Sequence, residues 1–120
     1  MSRFELTFAA CKALLAPYAP RLTTSADSAT TYMLEGEYAP AMKRPMFFAG
    51  VRSGRAYVSF YLMPVYSHPE LMGRISDGLR RRLHAKSGFN FTRPEPELLE
   101  ELRDLVRDGF ECYLRLGYVK

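Results

Sequence analysis

The sequence predicts an α+β domain: an antiparallel β-sheet of about five strands, with N-terminal, broken middle and C-terminal helices packed on one face. Three observations predict it. Residues 44–63, RPMFFAGVRSGRAYVSFYLM, alternate in character over two runs joined by Ser53-Gly54, as a β-hairpin does. Successive strand-like runs are separated by short turns, which favours antiparallel pairing with helices on one side. Both ends of the chain carry apolar stripes at helical spacing.

The first stripe is Phe4, Phe8, Cys11, Leu15 and Tyr18, entered through Ser2 and Glu5 at the S-x-x-E spacing of a capping box. Pro17 and Pro20 end that helix. Residues 22–26 and 30–35, the latter rich in Thr and Tyr, read as two strands around an Asp27-Ser28-Ala29 turn, and residues 36–43 as a loop. With Ser53-Gly54 as its turn, the hairpin places Phe47, Ala49, Val51, Ala56, Val58, Phe60 and Leu62 on one wholly apolar face. Met46, Phe48, Gly50, Arg52, Arg55, Tyr57, Ser59, Tyr61 and Met63 take the other.

After Pro64, Ser67 and Glu70 suggest a second capping box, with Leu71, Met72 and Ile75 as the buried side. Ser76-Asp77-Gly78 interrupts this helix, and a further helical segment with Leu79 and Leu83 inward carries the run Arg80-Arg81-Arg82. Residues 88–92 form a short strand with Phe89 and Phe91 on one side. The last helix buries Leu98, Leu102, Leu105, Val106, Gly109, Phe110 and Tyr113, and stops at Gly117. The 120 residues make one domain, without repeats or low-complexity tracts.

No apolar run approaches the ~20 residues of a membrane span, and the first residues read as a capped helix rather than a secretory signal. Cys11 and Cys112, far apart and outside any CxxC spacing, read as buried thiols of a cytoplasmic protein. Charge is segregated. Residues 43–93 hold ten Lys and Arg against Glu70 and Asp77, whereas seven of the thirteen acids fall in residues 95–111. Such segregation either steers an anionic partner or pairs a basic element with an acidic one inside the fold.

Three surfaces could carry function. On the second hairpin face, Arg52 and Arg55 would oppose each other beside Gly50 and Tyr57, a seat for a planar or anionic group. Arg52, Arg55, Tyr57, Ser59 and Tyr61 are its candidate ligand-binding residues. The same face could instead be wet, or covered by a second copy of the chain. The basic run, with His84 and Lys86, could meet phosphates, although its members point in different directions on a helix. Glu97, Glu101, Asp104 and Asp108 recur along the last helix as an oxygen-rich stripe of the kind hard metals use. Arg103 and Arg107 run beside it and can neutralise it. No GxSxG, HExxH, P-loop or dinucleotide glycine motif occurs, which argues against an enzyme.

The segments VRSGRAYVSFYLMPVY, SDGLRRRLHAKSGFNF and LLEELRDLVRDGFECY, together with LLAPYAPRL near the start, resemble the YdhG-like family of small bacterial domains. The resemblance implies a helix-flanked antiparallel sheet. Some relatives are described as frataxin-like iron chaperones, which would make iron the cargo and the acidic stripe its place here. Lys86, Ser87 and Asn90 fall in a segment that matches the family pattern closely. The expectation is a small cytosolic, non-enzymatic binding or adaptor domain without a cofactor, acting on an unidentified small molecule or protein. The alternatives are an intracellular iron chaperone, or a weak binder of nucleic acid or another anion through the basic middle segment. Nucleic acid is the less favoured partner and a membrane is none.

Overall fold

The structure is a computed structural model and describes residues 2–84 and 88–119. The expectations for Lys86 and Ser87 lie outside the described residues. The elements, in chain order, are helix α1 (Arg3–Leu15), a 3-10 turn (Ala16–Arg21), strands β1 (Thr23–Asp27), β2 (Thr31–Ala39), β3 (Arg44–Ser53) and β4 (Val58–Leu62), and short helices α2 (Met63–Ser67), α3 (Pro69–Met72) and α4 (Asp77–Arg80). Strands β5 (Leu83–His84) and β6 (Gly88–Phe91) and the long helix α5 (Pro96–Leu116) complete it. The strands form one antiparallel sheet in the order β1-β2-β3-β4-β6-β5. The α+β architecture is as predicted, with six strands rather than about five.

Local chemistry explains most boundaries. The Ser2 hydroxyl accepts from the Glu5 amide at 3.1 Å while the Ser2 amide donates to the Glu5 carboxylate at 3.2 Å, which completes the first capping box. Pro96 opens α5, where a missing amide costs nothing, and Gly117 closes it at φ 80°, a left-handed conformation that suits glycine. The second capping box does not form. Ser67 ends α2, His68 sits between α2 and α3, and the capping serine is instead Ser76, which accepts from the Leu79 amide at 3.1 Å. The basic run is likewise not helical throughout. The α4 helix stops at Arg80, because Leu83 and His84 leave it to pair with β6.

One sheet face is the core. Tyr32, Leu34, Ala49, Val51, Val58, Phe60, Leu62, Phe89 and Phe91 meet Phe8, Cys11 and Leu15 of α1 and Leu102, Val106, Phe110 and Tyr113 of α5. Each large side chain so buried contributes roughly 1.5–3 kcal/mol. The hairpin register differs from the expectation in two ways. The loop closes around Arg55-Ala56, with the Gly54 amide donating to the Tyr57 carbonyl at 2.8 Å, so Gly50 faces Tyr61 and Arg52 faces Ser59. Because the shift is two residues, the alternation beyond the loop keeps its sense.

The second difference changes faces. Leu34 pairs with Ala49 and Glu35 with Phe47, leaving Phe48 as an extra residue in β3. Such a bulge re-aims the chain. Phe48 therefore enters the core, fully buried against Tyr18, Phe110 and Tyr113, and Met46 packs on the core too. Phe47, expected inside, is only half-buried, and Ala56 is exposed in the loop. At the bulge the Tyr113 hydroxyl donates to the Phe47 carbonyl at 2.6 Å and ties α5 to β3. Farther along β2 the irregularity recurs near Gly36, where the Glu37 amide donates to the Tyr118 carbonyl at 2.6 Å.

The α5 helix crosses α2 closely because Gly109 has no side chain. A Cβ there would lie 2.9 Å from two ring carbons of Pro64, a rigid neighbour. Gly109→Ala is expected to cost about 1–3 kcal/mol of stability, read as a lower urea midpoint; an unchanged midpoint would show that the two elements separate freely. Cys11 provides a second check. Burial pushes its thiol from 9.0 up to about 12. Above pH 9 the unfolded chain loses this proton and the folded one keeps it, so stability falls between those values by up to about 1.4 kcal/mol per pH unit. Cys11→Ala should lose that part of the alkaline slope, whatever its stability at neutral pH.

Candidate anion-binding site

The seat proposed on the second hairpin face is filled. Met33 lies over Gly50, in the space a Cβ would need, and the Tyr61 ring lies over Gly88. Arg52 and Arg55 are not cross-strand neighbours, since Arg52 pairs with Ser59 and Arg55 belongs to the loop. Both are exposed to water. The Ser59 hydroxyl donates to the Asn90 side-chain carbonyl at 2.6 Å across β4 and β6.

Three of the four acids of the predicted stripe, Glu101, Asp104 and Asp108, are also engaged. Asp108 accepts from Arg74 at 2.6 Å and from Arg107 at 3.2 Å, and the Arg74 hydrogen bond is the first cause holding its carboxyl below the usual range. Asp104 lies 3.5 Å from Arg107. Glu101 accepts from both the amide and the hydroxyl of Ser76, at 2.8 and 2.6 Å. Glu97 makes no salt bridge among the described residues and lines a groove with Glu95, Arg81, Arg82 and Arg93. The stripe thus touches the middle segment at two points, the Asp108 ion pair with Arg74 and the Glu101 hydrogen bonds from Ser76.

A cavity of about 430 Å³ lies where β4 begins and β6 ends, within the range of small-ligand sites. Tyr57, just before β4, and Asn90 and Thr92, from the end of β6, meet Arg81, Arg82, Leu83 and His84 of the chain entering β5. Arg3 from the start of α1 and Arg93 complete the lining. Among the described residues, four arginines line it and no carboxylate does. Antiparallel pairing makes this convergence: Val58 pairs with Phe91, and the Asn90 amide donates to the Arg82 carbonyl at 2.8 Å.

The four arginines are not equivalent. Arg82 is bound by a fork of hydrogen bonds to Glu95, at 2.6 and 2.5 Å, which raises the guanidinium pKa and lowers that of the carboxyl. Among the described residues, Arg3, Arg81 and Arg93 make no salt bridge. Arg93 acts on the Glu95 charge from farther away. Asn90, its carbonyl oxygen held by Ser59, offers its NH2 group, and Thr92 a hydroxyl. The half-exposed Tyr57 ring forms an aromatic wall.

Of the five residues predicted for a ligand, Tyr57 lines this cavity and Ser59 orients one that does. Arg52, Arg55 and Tyr61 do not line it. Arg3 and Arg93 escaped sequence reasoning, because they sit about ninety residues apart with no local motif. The one available signal was that Arg93, like Arg81, belongs to the basic stretch of residues 43–93; nothing in the sequence pointed to Arg3.

Comparison with protein-family models, curated proteins and solved structures finds no match to this chain.

The fork on Arg82 makes a prediction. Glu95 ionises more readily in the folded than in the unfolded chain, so its contribution is present above pH 4.5 and is lost as pH falls through its lower folded value. Glu95→Gln should remove this acid-side loss, at about 1 kcal/mol or less at neutral pH. It should also release Arg82 to the cavity and tighten binding of pyrophosphate. Calorimetric titration reads the second effect; weaker binding in the variant would show that the fork shapes the cavity instead.

Proposed function

We propose that this chain is a small non-enzymatic binding domain of the cytoplasm whose ligand is a compact, multiply charged anion, bearing phosphate or carboxylate groups. The observation that carries the reading is the convergence of Arg3, Arg81 and Arg93, none of them in a salt bridge among the described residues, on a cavity whose described lining contains no acid. Arginine suits such ligands, because its planar fork matches carboxylate and phosphate oxygens two at a time. The Asn90 amide and the Thr92 hydroxyl would supply neutral donors, and Tyr57 a face for stacking. No helix among the described residues is long and apolar enough to cross a membrane.

The site favours a small anion over extended nucleic acid. Phosphates of a strand need contacts along a path, and here Arg82 at the cavity is paired with Glu95, and Arg74, elsewhere in the basic segment, with Asp108. The iron-chaperone alternative gains no support from Glu101, Asp104 and Asp108, which hold a serine and arginines.

Pyrophosphate and citrate are the probes. Titrated at low salt into labelled protein, they should move the amide resonances of Arg3, Tyr57, Arg81 to His84 and Asn90 to Arg93. The Arg81→Ala/Arg93→Ala variant should lose at least about tenfold in affinity, each charge-assisted hydrogen bond contributing about 1.5–3 kcal/mol. No shifts at low salt, or equal affinity in a folded variant, would overturn the reading. Tight binding of an oligonucleotide with a steep salt dependence would replace it by nucleic-acid binding.

A further inference from the structure

The close approach of Gly109 to Pro64 has a counterpart one turn on. Four residues after Pro64 stands His68, between α2 and α3; three residues after Gly109 stands Cys112. Glu70 of α3 completes a trio whose ligand atoms, one from each side chain, all lie within 4.8 Å of one another. It is the only such group of three or more His, Cys, Asp or Glu among the described residues.

We infer that His68, Glu70 and Cys112 form a binding site for a divalent transition metal of the zinc class. This inference is independent of the anion cavity. The donor set, one nitrogen, one sulfur and one oxygen, is mixed and borderline-soft, which suits zinc rather than magnesium or calcium. Tetrahedral zinc, with bonds of about 2.0–2.3 Å, holds its donors about 3.3–3.7 Å apart. The trio is therefore about 1 Å from closure, and Glu70, being exposed, can supply that movement.

The surroundings are built for the same end. The Ser67 hydroxyl lies 2.9 Å from His68 Nδ1, a hydrogen bond of the kind that fixes the ring and tautomer of a metal-bound histidine. The buried Cys112 sulfur accepts a hydrogen bond from Arg115 at 3.3 Å. On binding, the Cys112 thiol gives its proton to solvent and the sulfur donates its electron pair to the metal. Thiolate and carboxylate then balance the two positive charges, with Arg115 as an outer donor to the sulfur. Three protein donors leave a fourth position for water. The result is a clasp between the α2–α3 junction and α5, where the Gly109 contact already draws them together.

Cobalt is the probe. Added to the fully reduced protein, one equivalent of Co²⁺ should produce a near-ultraviolet thiolate-to-metal band with the intense visible absorption of four-coordinate cobalt. Zinc should bleach both and raise the melting temperature. Cys112→Ser should lose the thiolate band, and Cys11→Ser should keep it. His68→Gln and Glu70→Gln, at less buried positions, should each weaken cobalt affinity by about 10- to 100-fold. Absence of the thiolate band, or unchanged affinity in the folded His68→Gln and Glu70→Gln variants, would overturn the assignment.

Discussion

Phe48 reaches the helices because β3 carries an extra residue opposite the step from Leu34 to Glu35, and the rest of the packing is arranged around that residue. Regular alternation would have turned its ring to the uncovered side of the sheet. With the bulge, Phe48 lies at the meeting point of three aromatic rings: Tyr18 from the 3-10 turn, and Phe110 and Tyr113 from α5. Tyr113 then does double service, packing its ring on Phe48 while its hydroxyl satisfies the Phe47 carbonyl. A buried hydroxyl without that acceptor would cost about 1–3 kcal/mol. The bulge is thus the point at which the sheet dictates the position of α5, and the position of α5 dictates what Gly109, Cys112 and the acids touch.

That dependence also explains how much of the fold could be read from the sequence. The stripes of α1 and α5 were legible because helical periodicity is a local property, as were the Ser2–Glu5 cap and the Gly117 stop. The turn at Arg55-Ala56 was misplaced by two residues without harm, since an even shift returns each side chain to its own face. The bulge at Phe48 was not legible. It is set by the pairing of β2 with β3, and both Phe47 and Phe48 are credible core residues by type. Leu83 and His84 were misread for a related reason. Their residue types fit a helix, and only the neighbouring edge of β6 makes them a strand. The candidate site was half legible. Tyr57 and the arginine run stood out, and Asn90 was noted without a site, whereas Thr92 and Arg93 come beside Tyr57 through the β4–β6 register and Arg3 through the placing of α1.

Part of the segregated charge is taken up by internal pairing, with Arg74 on Asp108 and Arg82 on Glu95 bridging the middle of the chain to its acidic end. These pairs are partly exposed, and their contribution to stability is accordingly modest. Beyond these two pairs, Arg3, Arg81 and Arg93 converge on one cavity, where the proposed anion would meet them together rather than singly. A diffuse basic surface attracts polyanions without discrimination; a small cluster with two neutral donors and an aromatic wall discriminates by size and shape.

The two cysteines show how position in one framework separates chemistry that composition cannot. Cys11 faces the sheet from the middle of α1, wholly buried, and burial alone pushes its thiol up to about 12. Such a sulfur is a small apolar filler and no nucleophile or ligand at neutral pH. Cys112 is nearly as buried, yet it stands where α5 passes the α2–α3 junction, within reach of a histidine, a carboxylate and the Arg115 guanidinium. The difference traces back to Gly109. Were that residue larger, α5 would stand away from Pro64, and the Cys112 sulfur would stand away from His68 with it. The contact that tightens the packing is therefore the one that gives the second thiol its neighbours.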